Sequence, residues 1–296
     1  MRRTKPSKPS ASPNAIAEDS LRTLSVILSL MLSLVHTQAQ LGIVAGAEEQ
    51  AVFCGEGRLV RLVIRNRDDN SVGASLRLRL HQTTTATTVL LREAAWKPLQ
   101  VLPGQTVLET ATLDFPPVHA ETRFLIQWLD GTNTVLGKTE VRVFPTNLLA
   151  TLRTLAGESP LGVFDPADQL KPLLRPLEVP FQDLAEDGTD KFVGKLAVFG
   201  PFESKQKMRA SLSGDIRVLA KRGVAVVWLQ PPPAKRAPLR PSFYTVRVGD
   251  GTVVVAQASL VAHLSESPEA QLNLLRLAEL ALRPVAFDLP DTEISN

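Results

Sequence analysis

The chain has 296 residues, of which 44% are hydrophobic and 21% charged, with 33 Lys and Arg against 30 Asp and Glu. This composition excludes a wholly disordered chain, because disorder requires low hydrophobicity and a large net charge. The single cysteine, Cys54, excludes a disulfide framework, and the four histidines show no zinc-ligand spacing. The length allows one large or two ordinary domains.

The N-terminal segment has the pattern of an export signal. Residues 1–39 carry five basic and two acidic side chains, and an apolar run, LSVILSLMLSLV, spans residues 24–35. The run is shorter than the about 20 residues of a membrane-spanning helix and is typical of a signal-peptide core. We predict a signal peptide cleaved after Ala39, with Ala47 as second choice and an uncleaved N-terminal anchor as the alternative. Both alternatives place the protein outside the cytoplasm, in the periplasm or the extracellular space.

Charge gives little support for a nucleic-acid partner. Without residues 1–39 the net charge is near zero, so the basic balance of the whole chain belongs to the leader. A basic chain would have indicated nucleic acid or an anionic membrane surface. We expect a protein or a saccharide as partner, and no nucleic acid, with membrane attachment only through the N-terminal segment.

Residues 48–145 show the two-residue period of β-strands. Leucines at 76, 78 and 80 alternate with Arg77, Arg79 and His81, as in a strand with one buried face. Turn-forming residues separate six or seven such runs, and no helical period occurs between them. The pattern predicts an antiparallel sandwich of immunoglobulin type with Trp96 and Trp128 as core anchors. His81 and His119 are isolated, so we predict no metal site, and the two arginines are interpreted as a solvated face.

The pattern changes after residue 145. Residues 146–159 form a predicted linker with a short helix, and residues 160–285 alternate strands with helices, before a tail at 286–296. Strands are predicted at 161–164, 179–184, 196–199, 224–229 and 252–256, with helices beginning at Asp168, Ser204 and Pro268. This alternation indicates a three-layer α/β domain with a mainly parallel sheet. Residues 243–248 form a hairpin with the last strand, so one antiparallel edge strand is expected, and residues 230–241 read as an exposed loop.

A resemblance supports this fold. The run from Val218 to Gln230, "helix, glycine, strand, Gln", resembles glutamine-amidotransferase-like domains of class I, in particular those appended to large bacterial glycoside hydrolases. The strand at 196–200 and the passage from Gly251 to Gln271 resemble the same domains, over about residues 150–285. The resemblance implies a flavodoxin-like or amidotransferase-like α/β domain and a link to carbohydrate-active proteins.

The chain departs from that family at the catalytic position. A working amidotransferase needs a cysteine nucleophile on a strand-to-helix elbow, activated by a histidine and a carboxylate. No cysteine follows Cys54, and the strand at 196–199 ends in Gly200-Pro201-Phe202-Glu203. The domain is therefore predicted to be catalytically silent. No dinucleotide or Walker motif is present, and no cofactor is expected.

Open α/β sheets bind ligands beyond the carboxyl ends of their strands. That rule selects four candidate ligand-binding residues, Asp165, Glu203, Gln230 and Gln257. Asp165 and Glu203 are also candidates for an acid–base pair, or else a turn residue and a charge near a helix start. His263, with Ser259 and Ser265 nearby, lacks the Gly-x-Ser-x-Gly motif of a serine hydrolase.

The sequence thus favours a non-enzymatic binding or scaffolding protein of the cell envelope. One alternative is a carbohydrate-active enzyme or an accessory subunit of a glycoside hydrolase. Another is a subunit of a membrane-linked assembly, which predicts an exposed apolar patch on the sandwich.

Overall fold

The computed structural model describes residues 41–44, 49–231 and 242–283. The predicted leader, most of the loop at 230–241 and the predicted tail lie outside the described residues. The described strands are β1 (Leu41–Val44), β2 (Gln50–Phe53), β3 (Gly55–Asn66), β4 (Val72–Thr83), β5 (Thr88–Val101), β6 (Thr106–Phe115), β7 (Thr122–Leu129), β8 (Val135–Phe144), β9 (Leu161–Phe164), β10 (Phe181–Asp183), β11 (Leu196–Phe199), β12 (Ala225–Gln230), β13 (Phe243–Val248) and β14 (Gly251–Gln257). The described α-helices are α1 (Thr151–Ala156), α2 (Lys171–Leu174), α3 (Leu212–Lys221) and α4 (Pro268–Leu282).

The first eight strands form two sheets that share one apolar core. One sheet has the order β1-β3-β6 and the other β2-β8-β7-β4-β5. A single buried cluster draws side chains from both, so the sheets pack face to face as a sandwich. The pairing is antiparallel except that β2 runs parallel to β8, which corrects the prediction of a wholly antiparallel sandwich.

The strand pattern at β4 is confirmed. Leu76, Leu78 and Leu80 are 1%, 3% and 3% exposed, as the two-residue period predicts. On the opposite face, Arg77 and Arg79 both pair with Glu93 of β5. The two arginines therefore form a cross-strand ion-pair cluster with a neighbouring strand.

The two predicted tryptophan anchors meet in the sandwich. The ring centroids of Trp96 and Trp128 are 5.3 Å apart, and Trp128 is fully buried. Its indole Nε1 donates to the Thr139 hydroxyl at 2.9 Å, which satisfies the one polar atom that burial would leave unpaired. Cys54 also packs against this core.

The remaining strands form a six-stranded sheet with the order β10-β9-β11-β12-β14-β13. All neighbours are parallel except β13, which pairs with β14 antiparallel at the edge. Side chains alternate between two buried clusters: Leu196 and Val198 face α1 and α4, whereas Ala197 and Phe199 face α3. Helices thus cover both faces of the sheet, and the predicted antiparallel edge strand is confirmed.

One predicted helix start in this part needs correction. The helix expected from Ser204 begins at Leu212, because residues 205–207 form a 3-10 helix and Met208 is extended. The short helix predicted within residues 146–159 is present as α1, and Leu149 and Leu152 of this segment are fully buried in the α/β core. That segment is therefore packed as part of one helical layer.

Candidate functional site

A cleft opens where three strands of the six-stranded sheet end. The loops after β9, β11 and β14 enclose about 630 Å³. Because β10 lies on one side of β9 and β11 on the other, the chain reverses its winding direction here. Such switch points are where open α/β sheets bind ligands. The cleft is lined by Asp168, Gln169, Pro172, Leu173, Pro201, Phe202, Glu203, Ala258, Ser259, Ala262, His263, Leu264 and Ser265.

Glu203 is the one predicted site residue that lines this cleft. Its Oε1 accepts from the Gln169 amide at 3.0 Å, and its Oε2 pairs with the Lys207 ammonium. The hydrogen bond from Lys207, and next the Gln169 amide, hold the pKa of Glu203 below its ordinary value. The carboxylate is therefore ionised at neutral pH and accepts hydrogen bonds rather than donating a proton.

Asp165 is fully buried and is not among the residues that line the cleft. Its Oδ2 accepts from the backbone N–H groups of Leu170 and Lys171, at 2.6 and 3.0 Å. Asp165 therefore caps the start of α2, and the helix predicted to begin at Asp168 begins at Lys171. The two carboxylates have different partners. That of Asp165 accepts from the first N–H groups of α2, and that of Glu203 contacts Lys207 and Gln169.

Gln230 and Gln257 are neighbours at the ends of β12 and β14. They are Cα partners in the parallel register, and the Gln257 N–H donates to the Ser242 carbonyl at 2.9 Å. Neither residue is among those that line the cleft. Of the four residues selected from the sequence, only Glu203 contributes a side chain to the cleft.

Two cleft residues adopt left-handed backbone. Asp168 has φ = 51° and His263 has φ = 59°, a conformation that costs a non-glycine residue free energy and concentrates at functional sites. No sequence signal marks this conformation at Asp168. His263 and the two serines near it in sequence, Ser259 and Ser265, all line the cleft.

A buried lysine holds the loop that carries Asp168. The Lys171 ammonium lies 3.0 Å from the Asp168 carboxylate and 2.8 Å from that of Asp183 in β10. The Asp183 hydrogen bond raises the pKa of Lys171 despite burial. Burial raises the pKa of Asp183, but Lys171 and the Ala185 N–H outweigh it and lower that pKa. The two ion pairs of Lys171 therefore hold α2 and the loop before it against β10, the edge strand of the sheet.

The elbow after β11 contains no nucleophile. Gly200 has φ = 97°, and a Cβ there would lie 2.8 Å from the Leu229 carbonyl oxygen, so only glycine fits. Phe202 is 1% exposed and packs into the apolar cluster below the sheet. A buried phenyl ring and an ion-paired carboxylate, Glu203, thus follow the strand where a nucleophile would be needed.

The described residues show neither a metal-ligand cluster nor a membrane-spanning helix. Within residues 41–44, 49–231 and 242–283, no group of three or more His, Cys, Asp or Glu side chains is placed to hold a metal ion. None of the described helices is long and apolar enough to span a membrane.

Comparison with known proteins gives no assignment. No protein-family model and no curated protein matches the sequence. Solved structures with weak similarity include the alkylpurine DNA glycosylase AlkC of Pseudomonas fluorescens (12% identity, TM-score 0.27, 38% of this chain and 33% of that one). Others are the sporulation control protein Spo0M of Bacillus subtilis (12%, 0.27, 40% and 56%) and a beta-glucosidase of Listeria innocua (15%, 0.26, 35% and 16%). This chain spans less than two thirds of each, and similarity at this level does not establish a shared fold.

Proposed function

We propose that this chain is an exported, non-enzymatic binding protein of the cell envelope, whose α/β part holds a hydroxyl-rich ligand such as a saccharide. The observation that carries the proposal is the cleft at the switch point of the sheet. It encloses about 630 Å³ and is lined by carboxylate, amide, hydroxyl and imidazole groups. Groups of these kinds bind hydroxyls by donating and accepting hydrogen bonds. The apolar lining, Pro172, Leu173 and Leu264, suits the hydrophobic face of a sugar ring.

The same cleft is poorly equipped for chemistry. Glu203 is kept ionised by Lys207 and is therefore unsuited to be a general acid. Among the described residues, the His263 side chain makes no hydrogen bond to Ser259 or Ser265, so no serine nucleophile is activated there. The one cysteine, Cys54, lies in the sandwich. These features favour binding without turnover.

The finer fold assignments belong to the same proposal. We infer an immunoglobulin-type sandwich in which β3 and β6 are strands B and E, and β4, β7 and β8 are strands C, F and G. The order β10-β9-β11-β12-β14 supports a flavodoxin-like domain. The run that resembles glutamine-amidotransferase-like domains comprises the C-terminal half of α3, Gly223, β12 and its terminal Gln230, which supports a catalytically silent member of that class.

A second candidate function is a carbohydrate-active enzyme or an accessory subunit of a glycoside hydrolase. The feature that favours it is the presence of two carboxylates, those of Asp168 and Glu203, in one cleft. Two carboxylates flanking a glycosidic bond are the usual apparatus of glycoside hydrolysis. Catalysis would require one of them to be protonated, whereas both are ion-paired to lysines.

A third candidate is a subunit of a membrane-linked assembly. Val89, Leu90 and Leu91 are 55%, 49% and 42% exposed on β5, the edge strand of the five-stranded sheet. An exposed apolar edge strand is a site for pairing with another chain. This patch supports a protein partner on the sandwich in addition to a ligand in the cleft.

The test is a binding screen combined with a turnover assay. We would titrate a panel of neutral and acidic oligosaccharides by calorimetry and assay the same compounds for hydrolysis. Glu203→Gln, which keeps the size but removes the charge, should weaken binding about tenfold or more. The matched control is Glu186→Gln, an exposed glutamate outside the cleft, which should bind as the wild type does.

Two results would overturn the proposal. Hydrolysis of a panel member that is lost in Glu203→Gln would establish the enzyme instead. Binding that is equally weakened by Glu203→Gln and Glu186→Gln would move the ligand out of the cleft.

A further inference from the structure

A second, smaller cavity lies at the junction of the sandwich and the α/β part. It encloses about 170 Å³ and is lined by Phe53, Arg58, Thr146, Leu149, Leu173, Pro176, Leu177, Ser265 and Gln271. The first two belong to the sandwich and the others to the segment from residue 146 onwards. A cavity of about 150 Å³ with an apolar lining holds a benzene molecule, so this one has room for a six-membered ring with a small substituent.

The sandwich contributes a cation to this cavity. The Arg58 guanidinium donates from Nη2 to the Cys54 carbonyl at 2.8 Å, and its buried Nε has no hydrogen-bond partner among the described residues. None of the ion pairs found in the described part of the chain involves Arg58. A guanidinium has five N–H donors and is always charged. Within the described residues, Arg58 therefore brings to the junction a positive charge without an ion-pair partner and an unpaired Nε–H donor.

The local backbone is shaped to hold that side chain. The register between β3 and β6 shifts between Gly55 and Arg58, as in a β-bulge, which redirects a side chain. Gly55 has φ = 114°, and a Cβ there would lie 3.0 Å from Arg58 Nη2. The absence of a side chain at Gly55 thus leaves the space in which the guanidinium lies.

The α/β part contributes a hydrogen-bond acceptor. Gln271 of α4 is 4% exposed, and its Nε2 donates to the Leu264 carbonyl at 2.8 Å. Its Oε1 is buried and finds no partner within the described residues. A buried acceptor without a donor costs about 1–3 kcal/mol, so the site favours a ligand that donates a hydrogen bond.

We propose that this junction cavity binds a small organic carboxylic acid with an apolar body and one hydrogen-bond donor. The carboxylate is recognised by Arg58, the donor by Gln271, and the body by Phe53, Leu149 and Leu177. Arginine matches a carboxylate in geometry and charge. The ligand would contact both parts of the chain at once, and Leu173 and Ser265 line both this cavity and the cleft, whereas Arg58 and Gln271 line only this cavity.

The test uses the full chain and three probes: benzoate, 4-hydroxybenzoate and the neutral benzamide. Calorimetry or ligand-observed NMR should detect 4-hydroxybenzoate binding more tightly than benzoate, and both more tightly than benzamide. Arg58→Gln should weaken binding of the two acids about tenfold or more. The matched control is Arg61→Gln, which removes the same charge from an exposed position on the same strand, and it should leave binding unchanged.

A cavity-filling variant keeps the test decisive if Arg58→Gln fails to fold. Leu177→Trp fills the cavity from the α/β side and leaves Arg58 in place, so it should abolish binding of all three probes. The proposal is overturned if benzamide binds as well as benzoate, or if Arg61→Gln weakens binding as much as Arg58→Gln. It is equally overturned if neither acid binds with a dissociation constant below roughly 10 mM.

Discussion

Replacing Asp165 distinguishes a structural carboxylate from a functional one. Its Oδ2 accepts two backbone N–H groups at the start of α2, at 2.6 and 3.0 Å, and the residue is fully buried. Hydrogen bonds to a charged group contribute about 1.5–3 kcal/mol each, and the cost of burying the carboxylate offsets part of that sum. We therefore expect Asp165→Ala to lower the free energy of unfolding by about 2–3 kcal/mol. Asp165→Asn keeps one acceptor and should lose about half as much.

The assay is urea unfolding followed by the helical circular-dichroism signal, which reports the α/β part because α1 to α4 all lie in it. The midpoint should fall while the slope of the transition stays constant. Ligand binding by Asp165→Asn should remain close to wild type, since the carboxylate does not line the cleft. If Asp165→Ala unfolds within about 0.5 kcal/mol of wild type, the size of a neutral surface change, the capping role is refuted.

Three further predictions follow from other contacts. The pKa of Asp183 is lowered in the folded chain, so its pairing with Lys171 stabilises the fold above the unfolded value, 3.8, and is lost as pH falls through the folded value. Asp183→Asn should therefore be about 1.5–3 kcal/mol less stable than wild type at pH 7, and the gap should begin to narrow only below about pH 4 in urea titrations. Starting the chain at residue 48 rather than 40 removes β1 and its Leu41, which is 3% exposed in the sandwich core. We expect the free energy of unfolding to fall by about 2–3 kcal/mol. Equal stability of the two chains in urea unfolding would contradict a contribution of β1 to that core. Gly200→Ala should cost about 1–3 kcal/mol in thermal unfolding, because its Cβ would meet the Leu229 carbonyl oxygen.

The sequence predicts the α/β strands well where local and tertiary signals agree. The predicted bounds at 161–164, 196–199 and 243–248 coincide with β9, β11 and β13. The first two are short apolar runs between turn residues, and a strand that is buried on both faces needs no more than that. The helix predicted to begin at Pro268 is also confirmed, as α4. Its start is encoded locally, since the Ser267 side chain accepts from the Ala270 N–H as a cap.

The failures have tertiary causes. The residues from Ser204 to Ser211 look helical in composition, yet the buried Phe202 and the extended Met208 set the direction of the chain before α3 begins at Leu212. β2 pairs in parallel with β8, which lies about 90 residues later in the sequence. A pairing between such distant residues leaves no signal in the local sequence pattern.

The cleft was only partly predictable for the same reason. The rule about strand ends selected Glu203, which lines the cleft, and also Asp165, which turns inward to cap α2. Asp168 and Gln169 enter the cleft because the strand order brings the loops after β9 and β11 together. Sequence spacing does not encode that strand order.

The most direct test of ligand binding at the cleft is site-specific photo-crosslinking in the native host. A photoreactive amino acid would replace Ala262, which is exposed and lines the cleft, or Val218, which is 45% exposed on α3 outside it. Intact mass would be read on the chain recovered from the cell envelope. We predict a chain lacking residues 1–39 with a saccharide adduct at position 262, no adduct at position 218, and loss of the adduct on adding Glu203→Gln. Equal adducts at both positions, or a saccharide that is cleaved rather than retained, would contradict a non-enzymatic binding protein.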